Sequence, residues 1–186
     1  MKDDAMNTPL TKNQEIFLLR LARQAIAHYL EKGKPPEIEP EEETYKQKRG
    51  AFVTLKANDQ LRGCVGYPIP YKSLYETIID AAISAATKDF RFPPLEPKEL
   101  PRIHIEISVL SPPEPVKEFS EIEVGKHGII VTKGLARGLL LPQVPLEWGW
   151  DREQYLSHGC LKAGLEENEW KKGVQIEKFS AQVFSE

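Results

Sequence analysis

Residues 50–67, GAFVTLKANDQLRGCVGY, carry the reading that decides the fold. Two β-rich runs, 50–56 and 60–67, flank Ala57-Asn58-Asp59, which has the length and composition of a hairpin turn. Side chains alternate along an extended chain, so Arg62 and Cys64 are expected to share one face, with Gly66 leaving open space beside them. A cation next to a thiol in roomy surroundings is the most chemically suggestive feature of the chain. By itself it names no reaction.

Outward from this hairpin, Thr11 and Gln14 have capping-box spacing ahead of a stripe of Leu18, Leu21, Ala22, Ala25 and Tyr29, which predicts a helix over 11–32 ended by Gly33. Residues 34–48 combine three prolines with an acidic cluster, too polar to be core, and read as a surface connection. Ser73 and Glu76 open a second helix over 73–88, whose alanines allow close packing on a sheet. The run 89–95, DFRFPPL, mixes aromatics, a cation and rigid prolines and should be an ordered loop.

In 103–109, isoleucines and valine alternate with His104, Glu106 and Ser108, the pattern of a strand with one buried face. Residues 128–132 and 138–141 read as a glycine-bounded strand pair, stopped where Pro142 and Pro145 cannot donate to a ladder. Asp151 caps a helix reaching about Ala163, Gly164 terminates it, and 174–184 reads as a last strand. Strands outnumber helices, arrive in hairpin-like groups and show no βαβ alternation. The expected class is therefore α+β, a largely antiparallel sheet with flanking helices.

At 186 residues and 40% hydrophobic, the chain suffices for one domain, or two closely packed subdomains, with a real core. A net charge of -3 gives no general pull toward nucleic acid, and the lysines and arginines are scattered rather than clustered. The two cysteines lie far apart in sequence and no apolar run resembles a signal peptide or membrane span, so a cytoplasmic protein with reduced thiols is expected.

LRGCVGY, DFRFPPL, EISVLSP, KHGIIVTKG with LLLPQV after it, and GCLKAGL followed by Trp170 together resemble the AMMECR domain family. Its bacterial and archaeal members are often called AmmeMemoRadiSam system protein A, after gene neighbourhoods holding a MEMO-like protein and a radical SAM protein. The likeness runs in order over nearly the whole chain, departing at Phe90, where the family more often has proline, and leaving Arg91 in register. It implies one domain over 1–186, built of two subdomains with a cleft between them lined by the shared motifs. It names no reaction, and the cofactor is left unknown.

Cys64 is the first candidate for catalysis, since the thiolate is the nucleophile and a nearby Arg62 would favour it; Gly63 and Gly66 would let a ligand approach the backbone closely. The plain alternative is a small packed thiol with Arg62 paired to a carboxylate. Arg91 can clamp a carboxylate or phosphate, or stack on Phe90 or Phe92. Glu106 can orient or deprotonate a neighbour, or sit solvated or Arg-paired. Gln143 and Lys162, in shared motifs, can bond a ligand or tie loops to backbone.

Cys64, His104, His127, His158 and Cys160 could ligate metal, yet no metal-ligand spacing occurs, and no GxG-type phosphate loop is present. Two function classes stay open. One is an enzyme or enzyme subunit acting on a small anionic or nucleotide-like ligand. The other is a non-catalytic adaptor docking a MEMO-like or radical SAM partner through Pro-rich loops and Trp148-Gly149-Trp150.

Overall fold

The structure is a computed structural model and describes residues 8–186. The part of the domain expectation that falls on 1–7 lies outside the described residues. The chain divides into two compact units, one of residues up to Leu110 together with Gln182–Glu186, the other Ser111–Ala181.

In the first unit, α1 (Lys12–Lys32) opens on the expected capping box, with the Thr11 side chain accepting from Gln14 N and the Gln14 side chain accepting from Thr11 N. It ends at Gly33, whose φ of 71° is left-handed. The hairpin is β1 (Ala51–Ala57) and β2 (Gln60–Tyr67), paired antiparallel. Its turn residues Asn58 and Asp59 both take positive φ, 49° and 60°, which matches the strand twist. β3 (Ile103–Leu110) pairs antiparallel with the other edge of β1.

Helix α1 and a second helix, α3 (Leu74–Thr87), lie on one face of this sheet. Val53 and Leu55, Ile105 and Ile107, Leu18 and Ile26, and Leu74 and Ile78 are fully buried between them. Each large side chain so buried contributes about 1.5–3 kcal/mol. Gly63 has a packing reason: a Cβ there would meet the Ala85 carbonyl oxygen of α3 at 2.1 Å. Phe184, from the last strand, joins the same core.

The stretch 34–48 corrects the expectation of an entirely surface connection. It folds a helical turn, α2 (Glu43–Lys46), whose Tyr45 is buried and stacks on Phe17 at 4.4 Å between ring centroids. One aromatic in a polar run is enough to anchor it.

The second unit builds on β5 (His127–Lys133), which pairs antiparallel with β6 (Ala136–Leu140) on one side and β7 (Gln175–Ser185) on the other; the short β4 (Glu114–Pro115) pairs with β7. After β6 comes not only the expected stop but a short helix, α4 (Val144–Trp148). The helix α5 (Arg152–Lys162), capped by Asp151, packs on β5 and β6. Gly138 permits this, since a Cβ there would lie 2.3 Å from Ala163 N. Tyr155, Leu156, Ile129 and Val131 fill that core. Among the described residues no helix is long and apolar enough to cross a membrane.

Candidate functional site

The face of the β2-β1-β3 sheet turned away from α1 and α3 holds the first of the candidate residues. In register across it stand Cys64, Thr54 and Glu106, one from each strand. Thr54 Oγ1 donates to Cys64 Sγ at 3.2 Å, and the thiol is half-buried rather than sealed. Two strand spacings put the Cys64 and Glu106 backbones roughly 10 Å apart. Glu106 does not reach the sulfur: its Oε2 takes a 2.8 Å hydrogen bond from Lys56 Nζ.

Behind Cys64 sits Asp89, with a side chain only 4% exposed. Its Oδ2 accepts the Cys64 backbone N–H at 2.8 Å and Arg91 Nη2 at 2.7 Å, while Oδ1 accepts Arg91 Nε at 2.9 Å and Arg91 N at 3.2 Å. The Arg91 guanidinium, aided by these backbone donors, holds the Asp89 carboxyl well below the usual carboxylate range against the opposing effect of burial. The pair latches the 89–95 loop onto β2. Arg91 Nη2 also lies 3.4 Å from the Cys64 carbonyl oxygen, and its Cζ sits 5.5 Å from the Phe92 ring centroid. Nη1 has no partner among the described residues, and the side chain is 45% exposed.

Two sequence expectations change here. The β1–β2 register slips between Leu55 and Lys56, so that Leu55 faces Gly63 and Lys56 faces Leu61, leaving Arg62 unmatched in a bulge. Alternation therefore does not carry from Cys64 to Arg62. Arg62 is instead engaged bidentately by Glu99, Nε at 3.0 Å and Nη2 at 3.1 Å, and donates Nη1 to the Pro93 carbonyl at 3.0 Å. Arg62 holds the Glu99 carboxyl below its ordinary range. The cation adjacent to Cys64 is Arg91. Nor does Gly66 leave open space: a Cβ there would lie 2.2 Å from the Phe52 ring, which covers the glycine from the neighbouring strand.

Asp89, Thr54, Lys56 and Glu99 were not singled out from the sequence. Asp89 had a readable signal, the Asp-x-Arg spacing inside DFRFPPL, which suits a side chain that bonds its own backbone two residues on. Glu99 had none.

The other sequence-derived candidates fall in the second unit. Gln143 is exposed at the start of α4 and Lys162 exposed at the end of α5. His127 accepts the Glu123 N–H through Nδ1, and burial lowers its pKa. Cys160 is fully buried. Trp150 stacks on His158 at 3.7 Å and lies 6.1 Å from Trp148, which is 70% exposed. Among the described residues no group of three or more His, Cys, Asp or Glu is placed to hold a metal ion.

An α+β chain with an antiparallel sheet and a latched LRGC strand is the class these observations define. The chain belongs to the AMMECR1 family, which it matches over residues 19–184. It is 53% identical over 191 residues to Protein MK0488 of Methanopyrus kandleri, covering 97% of this chain and 92% of that one. It is 48% identical to Protein MJ0810 of Methanocaldococcus jannaschii, covering 95% and 92%. The crystal structure of Protein PH0010 from Pyrococcus horikoshii superposes with a TM-score of 0.81 at 41% identity, covering 100% of this chain and 93% of that one.

Proposed function

We propose that the protein is an enzyme, or a subunit of one, that binds a small anionic or nucleotide-like ligand over the Cys64 face and attacks or contacts it through the thiol. The observation that supports this reading is the free Arg91 Nη1: a guanidinium immobilised by buried Asp89, beside the Cys64 backbone, with two N–H donors left for an anion. Thr54 Oγ1 already donates to Sγ, and the Lys56–Glu106 pair offers a cation and a carboxylate at the far end of the row. Arg62 acts as a brace, tying β2 to Glu99 and the Pro93 carbonyl. Both cysteines are free, which supports a reducing, cytoplasmic setting.

The test is the iodoacetamide alkylation rate of Cys64 against pH in the wild type and in Arg91→Ala and Thr54→Val. A thiolate whose reactivity falls in both variants fits the reading. A Cys64 that stays inert across the neutral range ends the nucleophile role.

A second reading, an adaptor for a MEMO-like or radical SAM partner, is favoured by the exposure of Trp148 together with Leu146 at 62%. Co-purification from the native host separates the two. A stable partner lost on Trp148→Ala but kept on Cys64→Ser selects the adaptor.

A further inference from the structure

A cavity of about 340 Å³ opens at the hairpin-turn end of the first unit, lined by Ala57, Asn58, Lys98, Glu99, Arg102 and Ile103. That volume falls within the range of about 300–1,000 Å³ that small-molecule sites occupy. Ala57 and Ile103 are register partners that pack with the core under α1 and α3, so the cavity opens on the side of the sheet opposite Thr54, Cys64 and Glu106. Ala57 also lies three residues, roughly 10 Å of strand, beyond Thr54.

The charges around this cavity do not cancel. The one acid in its wall is already spent: Glu99 Oε1 accepts Arg62 Nε at 3.0 Å, and Oε2 accepts Arg62 Nη2 at 3.1 Å and Glu96 N at 2.8 Å. Lys98 pairs only with Glu96, and the two side chains are 80% and 59% exposed, which makes that pair weak. Among the described residues the Arg102 guanidinium and the Asn58 carboxamide have no partner. A lone free arginine on a surface means little. Here it converges with a second cation and a free amide on one concavity whose carboxylate is neutralised from outside by Arg62.

The frame that holds these groups is stiff. Arg102 closes the short 3-10 helix Leu100–Arg102, its N–H donating to Glu99 O at 2.8 Å, and Pro97 and Pro101 restrict the chain on either side of Glu99. Arg23 of α1 ties the segment down, donating Nη1 to Leu100 O at 2.9 Å and Nη2 to Ile103 O at 2.6 Å. Across the cavity, Asn58 is set by its turn, at a φ of 49°.

We infer that this cavity binds a small organic dianion, a phosphate monoester or a dicarboxylate, with the Arg102 fork on one pair of oxygens, Lys98 supplying the second positive charge and the Asn58 amide hydrogen-bonding the ligand. The site is independent of the reading of Cys64.

Equilibrium dialysis and calorimetry of the full chain with ribose 5-phosphate and, separately, with succinate test this, neutral ribose serving as the control. The expected result is saturable binding of at least one dianion at one site per chain and none of ribose. Tighter ribose 5-phosphate binding identifies the phosphate monoester and tighter succinate binding the dicarboxylate. Arg102→Gln should weaken binding by about tenfold or more, and Lys98→Gln and Asn58→Gly, the latter suited to positive φ, by about threefold each. Arg91→Ala should leave it intact, which separates this cavity from the Cys64 face. No saturable binding of either dianion at millimolar concentration, equal binding of ribose, undiminished binding in Arg102→Gln, or loss in Arg91→Ala overturns the inference.

Discussion

Replacing Asp89 with asparagine tests the latch that joins the two shared motifs. The carboxylate accepts four hydrogen bonds, from Cys64 N and from Arg91 N, Nε and Nη2. An amide of the same shape turns one acceptor oxygen into a donor facing N–H groups, so about two charge-assisted bonds are lost, each worth about 1.5–3 kcal/mol. Arg91 is half exposed and water will solvate it when released, which discounts its share. The net cost is about 2–3 kcal/mol, a fall in thermal midpoint of about 4–12 °C.

The pH dependence supplies a second readout. The folded-state pKa of Asp89 is depressed, so its contribution is present above the unfolded carboxylate value of about 3.9 and is lost as pH falls from there through the folded pKa. Wild type and Asp89→Asn should therefore differ most near neutrality and converge in acid. Urea denaturation at pH 7 and in steps down through acid reads both effects. A variant within about 0.5 kcal/mol of wild type at neutral pH, with a parallel acid profile, refutes the latch.

Gly63→Ala should destabilise by about 3 kcal/mol, because the new methyl meets the backbone oxygen of Ala85 rather than a side chain that can move; chemical denaturation checks it. Tyr155→Phe should cost about 1–2 kcal/mol, since the buried hydroxyl lies 3.1–3.2 Å from the carbonyls of His127, Leu140 and Leu141; denaturation midpoints at constant m-value decide. Burial pushes the Tyr45 phenol up to about 12, so its contribution is complete below the unfolded tyrosine value of about 10 and fades as pH rises toward 12; Tyr45→Phe should flatten the alkaline limb of the stability curve.

Element boundaries were legible wherever local chemistry sets them. Thr11 with Gln14, Ser73 with Glu76 and Asp151 all cap helices as their spacing predicts. The Asn58-Asp59 turn follows the same logic, because its left-handed residues are of the types that tolerate positive φ. The bulge at Arg62 was not legible, since nothing in QLRGCVGY distinguishes a regular strand from one slipped by a residue. That slip decides which guanidinium neighbours the thiol. Tyr45 escaped for a related reason: its burial depends on Phe17, far away in sequence, while its immediate neighbours are charged. The site divides likewise. Alternation put Glu106 on the polar face of its own strand, but its place in register with Cys64, Glu99 as the partner of Arg62 and Lys56 as the partner of Glu106 are long-range pairings that no spacing announces.

The strand β7 is divided between the two units, and its last residues belong to the first. Phe184 fills the N-terminal core, Arg23 bonds Glu186, and Gln182 both accepts from Leu10 N and donates to Leu10 O. A ribosome thus makes the two pieces of the first unit with all of Ser111–Ala181 in between, a delay on the order of several seconds. Until residues 182–186 emerge, the nascent N-terminal half exposes the β3 edge and the gap in its core that Phe184 will occupy. Chaperone demand during synthesis should fall on that half.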